Sequence, residues 1–529
     1  MKFSNTFVVI FLITLGTGVC LQRYHTREEP VECDTAHQSV LAHEWNHGRL
    51  LYSDLWINKP PGGIVTFAAA EKLVGFGSAT ILLLSALTSL LTLLGIYVAA
   101  AWMAQDRLAG VWAAFFWTLV NGNPYLEANQ PMLEGFVNVF WVWGLALAIR
   151  ALEEKSPYRI LWLCGCFLAA ASFYKHHLVI PNVLFMIGIL IADWWQGRRQ
   201  PRTLLHEGFS VTAPTLILWG GISSYFLAAG RFHDLWDTLI TRSLQYAQTI
   251  PFQTTPYENN SLFSNILNSL RLSTLTQANS HHVFYSLFPL ALLGLPGLMK
   301  SRGTETRYWI VLGGYAVSAW VGIALPGRFY PHYYQLFIPP LVIATGISIG
   351  WMNRAAPPAV RAWVLLGSCV IAVFMAWREL RFYRYSAMEW SRYIYGDVYL
   401  ATKTMGEEIG LNLLPSETFY EMGGEPGLYY YSRRRPPVGI LFSNEWDSRP
   451  SGSVLMQRNI RDLSQHPPEL LVTTQYWLAW GKNADLPIMQ WCRKNYRFFP
   501  TRARHGPFLL YLRRGGRLEQ KLFFHRSAQ

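Results

Sequence analysis

The chain has 529 residues, 51% of them hydrophobic and only 15% charged, which is too apolar for an ordinary water-soluble protein. Its net charge of +13 does not mark a nucleic-acid binder. Residues 379–529 hold 21 Lys+Arg against 14 Asp+Glu, about half the excess; the remainder is mainly in short loops, where it sets topology and meets anionic lipid.

Apolar runs of membrane-spanning length predict about eleven spans, each roughly 17–25 residues. They lie at 5–22, 77–101, 109–124, 133–151, 158–174, 178–195, 205–228, 283–299, 307–326, 333–352 and 361–378. The first ends in Thr17-Gly18-Val19-Cys20, a poor lipoprotein site, and reads as a retained helix. A cytoplasmic amino terminus puts Arg107, Arg150, Arg198, Arg199, Arg302 and Arg354 on the inner side, as the positive-inside rule requires. The opposite short loops hold almost no lysine or arginine beyond Lys175 and Arg328. The expected fold is therefore an α-helical polytopic protein of the inner or plasma membrane. Its loops 23–76 and 229–282 and its tail lie outside.

Two domains are expected: a transmembrane domain over 1–380, with its chemistry in the first outer loop 23–76, and an extracytoplasmic α/β domain over 381–529. In the tail, a helix at 398–411 leads through Pro415 to alternating stretches at 437–442, 469–474 and 507–512. Six cysteines are too scattered for a disulfide framework or a zinc knuckle. The halves show no convincing repeat, which weakens a transporter reading.

The first outer loop carries Glu32, Asp34 and, after a predicted helix at 35–48, the run Tyr52-Ser-Asp54-Leu-Trp56-Ile-Asn58-Lys59-Pro60-Pro61. Asp34 either caps that helix or acts as a general base, taking a proton from a sugar hydroxyl. Two prolines fix Lys59 on a stiff backbone at the membrane surface, which suits a phosphate. His43-Glu44-Trp-Asn-His47 matches the HExxH zinc-peptidase pattern, but no further ligand follows at a persuasive spacing. Glu127 and Glu134 belong to a second outer loop, and Glu134 directly opens an apolar run. Lys175, Arg328 and His332 fall on the same side as Lys59, where together they would neutralise a lipid-linked phosphate.

Asp34, Tyr52-x-Asp54-x-Trp56-x-x-Lys59-Pro-Pro, Glu134 and Gly327-Arg328-Phe-Tyr-Pro-His332-Tyr333, with Pro339-Pro340 beyond, together resemble the bacterial dolichyl-phosphate-mannose-mannosyltransferase-like superfamily. These are GT-C membrane glycosyltransferases of the aminoarabinose-transferase and rhizobial lipopolysaccharide-core type. The likeness extends to Gly423-Gly-Glu425-Pro-Gly-Leu-Tyr429 in the tail. Many members carry an acidic pair where this chain has Glu32-Cys33-Asp34, so either acid could be the base. The resemblance implies a polyprenyl-phosphate-linked sugar as co-substrate and a glycolipid, glycan or protein acceptor. It also implies inversion at the anomeric carbon and membrane lipid as surroundings; no nucleotide-sugar site is expected, and a divalent-metal requirement is left open. Catalytic roles fall to Asp34 and Glu134, donor-phosphate binding to Lys59, Arg328, His332 and Lys175, and substrate contacts to Tyr52, Asp54, Trp56 and Tyr333. The competing readings are a lipid or glycan transporter, a zinc metallopeptidase using residues 43–47, and an oligosaccharide polymerase or ligase.

Overall fold

A computed structural model describes residues 5–195, 201–244, 269–274, 281–300, 306–355, 357–442, 450–479, 483–500 and 506–524. Arg198, Arg199, Arg302 and much of the 229–282 loop lie outside the described residues. Each predicted span coincides with a helix: α1 Asn5–His25, α4 Ser78–Ala104, α5 Arg107–Val120, α6 Leu133–Ala151, α7 Tyr158–Tyr174, α8 Val179–Trp195, α9 Pro201–Ala228, then His281–Lys300, Thr306–Ala324, Ile338–Ala355 and Pro358–Leu380. Among the described residues, seven helices are long and apolar enough to cross a membrane, while α5, α7 and Leu287–Met299 are shorter apolar helices.

The predicted run 109–124 ends early, at Val120. Asn121-Gly-Asn-Pro breaks it, and the Asn123 side chain instead accepts the Tyr125 N–H at 3.0 Å, starting a separate 3-10 turn, Pro124–Leu126. At the other end of α5, Asp106 caps the helix through the Leu108 N–H at 3.0 Å. Inside the bundle Trp141 donates to Asn182, which donates to the Leu168 carbonyl.

The chain divides into two compact units. The first comprises residues up to Arg27, Lys59–Gly62 and Ile81–Tyr385, and contains most of the apolar helices. The second comprises Glu28–Asn58, Gly63–Thr80 and everything from Ser386. It holds α2 (Cys33–Asn46), nearly all of α3 (Gly62–Val74), the helix Val398–Asn412 and a four-stranded sheet. The strands are β1 Phe419–Met422, β2 Leu470–Thr474, β3 Tyr496–Phe499 and β4 Phe508–Arg513, in the order β1-β2-β4-β3. β1 runs parallel to β2, and β4 antiparallel to β2 and β3.

The stretches expected at 469–474 and 507–512 are β2 and β4, but 437–442 forms no strand. Pro436 and Pro437 open it and have no N–H for a ladder. Its backbone bonds elsewhere: the Trp56 N–H donates to the Gly439 carbonyl at 3.0 Å. Trp56 itself packs into a core with Tyr420, Met422, Ile440, Leu471 and Met489. The contact is too close for any other residue at 439, since a Cβ there would lie 1.6 Å from the Asp54 carbonyl oxygen. Gly439→Ala should therefore destabilise this unit by about 1–3 kcal/mol, the usual cost of overpacking. Thermal unfolding followed by tryptophan fluorescence would show a lower midpoint; an unchanged midpoint would mean the loop does not rest there.

Candidate functional site

In the first unit, four of the expected residues meet. Glu134 lies in the first turn of α6, buried where the helix dipole favours an anion. Its Oε1 pairs with the Lys175 ammonium, just past the end of α7. The same ammonium sits 4.2 Å above the Tyr333 ring. The rings of Tyr333 and His332 are 4.8 Å apart, and His332 Nδ1 lies 2.7 Å from Glu127 Oε2. Glu127 is thus a member that sequence spacing did not single out, since it is 205 residues from its partner.

Arg328 is half-buried on the turn that leads to this cluster. It is flanked by two left-handed residues, Gly327 (φ 67°) and Phe329 (φ 52°). Glu127 is left-handed as well, at φ 52°. Non-glycine residues in this region cost on the order of 1 kcal/mol or more, and such strain concentrates at functional sites. Lys59 is half-buried and belongs to the same unit. The turn it opens rests on the end of α7, because a Cβ at Gly62 would fall 2.4 Å from the Phe173 carbonyl oxygen. Only glycine lets Lys-Pro-Pro-Gly lie against the chain this close to Lys175.

In the second unit, Asp34 is not the helix cap. Glu32 is: its Oε2 accepts the N–H groups of Asp34 and Thr35 at 2.8 and 3.1 Å. Its Oε1 accepts from the Cys33 thiol at 2.9 Å and faces the Tyr399 hydroxyl at 3.5 Å. Glu32 is buried, whereas Asp34, in the first turn of α2, is partly exposed. Behind Glu32 stand two more acids. Burial pushes Glu425 up to about 7, with the Thr402 hydroxyl bond pulling down and the Glu32 charge pushing further up. Burial and the Glu425 charge also hold Glu421 well above the carboxylate range.

Tyr52, Asp54 and Trp56 have packing and turn roles in this unit. Tyr52 and Trp56 are buried. Tyr52 has φ 68° and donates its N–H to the Leu55 carbonyl at 2.7 Å, and Asp54 accepts the Leu50 N–H at 2.8 Å. The HExxH residues are similarly occupied. Glu44 is buried and ion-paired to Arg435 at 2.8 Å and Arg49 at 3.4 Å. His43 Nδ1 lies 2.7 Å from Glu71, and His47 Nδ1 bonds the His43 carbonyl at 2.7 Å. Among the described residues no group of three or more His, Cys, Asp or Glu side chains is arranged to hold a metal ion.

No protein-family model matches the chain, and no curated protein matches it. Solved structures do. ArnT from Cupriavidus metallidurans bound to undecaprenyl phosphate is similar over 96% of this chain and 98% of its own, with a TM-score of 0.55 and 14% identity. The chain has the GT-C membrane fold. The apo form of the Archaeoglobus fulgidus oligosaccharyltransferase is similar over 94% of this chain and 73% of its own, with a TM-score of 0.55 and 12% identity. The archaeal oligosaccharyltransferase AglB, from the same organism and in complex with an inhibitory peptide and a dolichol-phosphate, gives 0.50 and 12%. The GT-C fold thus comprises the apolar helices and the small C-terminal sheet described above.

The buried acids make a linkage prediction. In the folded chain Glu425 keeps its proton up to about 7, whereas unfolded it ionises near 4.5. Between these values the unfolded state binds fewer protons, so stability is full at the acid end and falls as pH rises towards 7. Glu421, also raised, adds to the fall. Glu425→Gln should make the decline shallower, as read from unfolding midpoints across this window. A decline as steep as in the wild type would mean that Glu425 is ionised in the fold.

Proposed function

We propose that this GT-C protein is a glycosyltransferase. It moves a sugar from a polyprenyl-phosphate-linked donor to an extracytoplasmic acceptor, which is an envelope glycolipid, a lipopolysaccharide or a protein. The observation that carries the proposal is the gathering of Lys175, His332 and Tyr333 with Glu134 in the membrane unit, with Arg328 and Lys59 on the adjoining turns. Fixed cations suit a phosphate leaving group and stabilise the charge that grows on it. ArnT, whose fold is similar, was solved with undecaprenyl phosphate bound.

In this reaction an acceptor hydroxyl oxygen attacks the anomeric carbon, and the bond from that carbon to the phosphate oxygen breaks. The phosphate departs with the electron pair, and the configuration inverts. Asp34 takes the hydroxyl proton. Of the two candidate acids it is favoured, because both oxygens of Glu32 are committed to holding the start of α2. Glu134 acts by holding Lys175, and Lys59, Arg328, His332 and Lys175 bind the donor phosphate. The amino terminus is cytoplasmic, and the first loop and the C-terminal unit are outside. A flippase would use the same paired charges without chemistry, and it would not need Asp34.

Asp34→Asn should leave the protein folded and inserted but lower the transfer rate by about a hundredfold to ten-thousandfold, the usual loss of a general base. Activity within a few-fold of the wild type would remove Asp34 from the mechanism. Lys59→Ala and Arg328→Ala should impair donor use more than acceptor use, seen by titrating polyprenyl-phosphate-linked sugar against each variant. If donor dependence is unchanged in both, these residues are interfacial anchors and the phosphate assignment fails.

A further inference from the structure

The His332–Glu127 pair joins the loop 124–132 to the turn 327–337, and more than this one contact holds them together. Gln335 donates to the Leu126 carbonyl at 2.8 Å, and Asn138 donates to the Gln335 carbonyl at 3.0 Å. The cap of Asn123 and the left-handed backbone at Glu127 fix where the carboxylate stands. On the other side, Tyr330 stacks on His332 with ring planes 12° apart and centroids at 5.7 Å, and Tyr333 meets it edge-on. The imidazole is therefore held on two faces and at Nδ1. Both it and Glu127 are largely buried.

The surrounding charges give the pair its meaning. Among the described residues, the groups about His332 are Glu127 from the facing loop, the Lys175–Glu134 pair across Tyr333, and Arg328, Tyr330 and Tyr333 of its own segment. Neighbouring cations oppose a proton on an imidazole, and a carboxylate in contact favours one. A neutral imidazole bonded at Nδ1 presents a lone pair at Nε2, which repels phosphate oxygens. A doubly protonated one presents an N–H donor.

We propose that Glu127 is a positioning residue that keeps His332 in its cationic form, so that an imidazolium charge serves the donor phosphate. The inference rests on the donor reading above and adds a residue that reading did not use. Glu127 need not touch the substrate. It acts by fixing the charge and orientation of the ring, as second-layer carboxylates do for other functional histidines.

The test is binding of undecaprenyl phosphate to the full-length protein in lipid nanodiscs, at about pH 6 and about pH 8, which bracket the usual range of histidine. The thermal midpoint of each variant is recorded alongside. Glu127→Gln keeps an oxygen for the Nδ1–H but removes the charge. It should weaken binding about tenfold relative to the wild type at the higher pH, or about 1.4 kcal/mol, and much less at the lower pH, where protons are plentiful. Glu127→Asp should recover part of the loss, and it carries the same comparison if the glutamine variant fails to fold. His332→Gln should be weak at both pH values, and adding Glu127→Gln to it should cost nothing more. Wild-type binding by Glu127→Gln at both pH values, or a loss that adds to that of His332→Gln, overturns the role of Glu127. That outcome leaves the donor reading standing if Lys59→Ala or Arg328→Ala binds weakly. The donor reading falls only if those variants and His332→Gln all bind as the wild type does.

Discussion

A charge in or beside a bilayer is tolerated only when another group answers it, and this constraint shapes the membrane unit more than any other. The short segment from Glu127 to Glu134 supplies a carboxylate to each of two basic side chains that arrive from elsewhere in the chain: Lys175 from the end of α7, and His332 from the turn before Ile338–Ala355. The loop that leads into α6 thus gathers two distant turns. Gly62 seats the Lys-Pro-Pro turn against the end of α7, and Gly327 and Phe329 set the backbone around Arg328. Removing one partner of the Lys175–Glu134 pair would leave a buried charge unanswered, which typically costs about 3–5 kcal/mol. The cluster is for this reason structural, whatever ligand it meets.

The second unit fixes the backbone that carries Asp34, the carboxylate proposed as the base. Glu32 ties down the first turn of α2, so Asp34 has a defined start to its helix and its own side chain is spared from capping. The acids behind Glu32 are buried; burial pushes Glu425 up to about 7 and raises Glu421 well above the carboxylate range. The loop after α2 is anchored by Trp56, whose indole enters the core of the sheet and whose backbone N–H donates to the Gly439 carbonyl. Most residues between α1 and α4 and the residues from Ser386 onward thus form one folded body.

Sequence reading captured the apolar helices well, because a run of about 20 apolar residues has few other uses. It also singled out Lys175 and Arg328, since cations on an otherwise uncharged side are conspicuous against the positive-inside pattern. What it missed depends on contact. Nothing in the spacing of Glu127 and His332 joins them, and only the fold brings them to 2.7 Å. Asp34 was a fair candidate for the cap by residue type, but Glu32 reaches further along the backbone and takes that place. Tyr52 and Trp56 stand beside Lys59 in the motif, and both are buried in the protein, which the spacing alone does not show. In the HExxH match, Glu44 is held by two guanidiniums, a pairing the spacing does not reveal. The strand expected near 437–442 was lost to two prolines that its apolar residues concealed.

The central claim is that this GT-C chain transfers a sugar rather than moving a lipid. Mass spectrometry of envelope glycolipids and glycoproteins, compared between a deletion strain and the same strain complemented with the wild-type or Asp34→Asn chain, tests it most directly. The account predicts that one glycolipid, saccharide or protein loses a single sugar mass in the deletion strain. The wild type should restore that mass, and Asp34→Asn should not. Identical glycan masses in all three strains, or restoration by Asp34→Asn equal to the wild type, would contradict it.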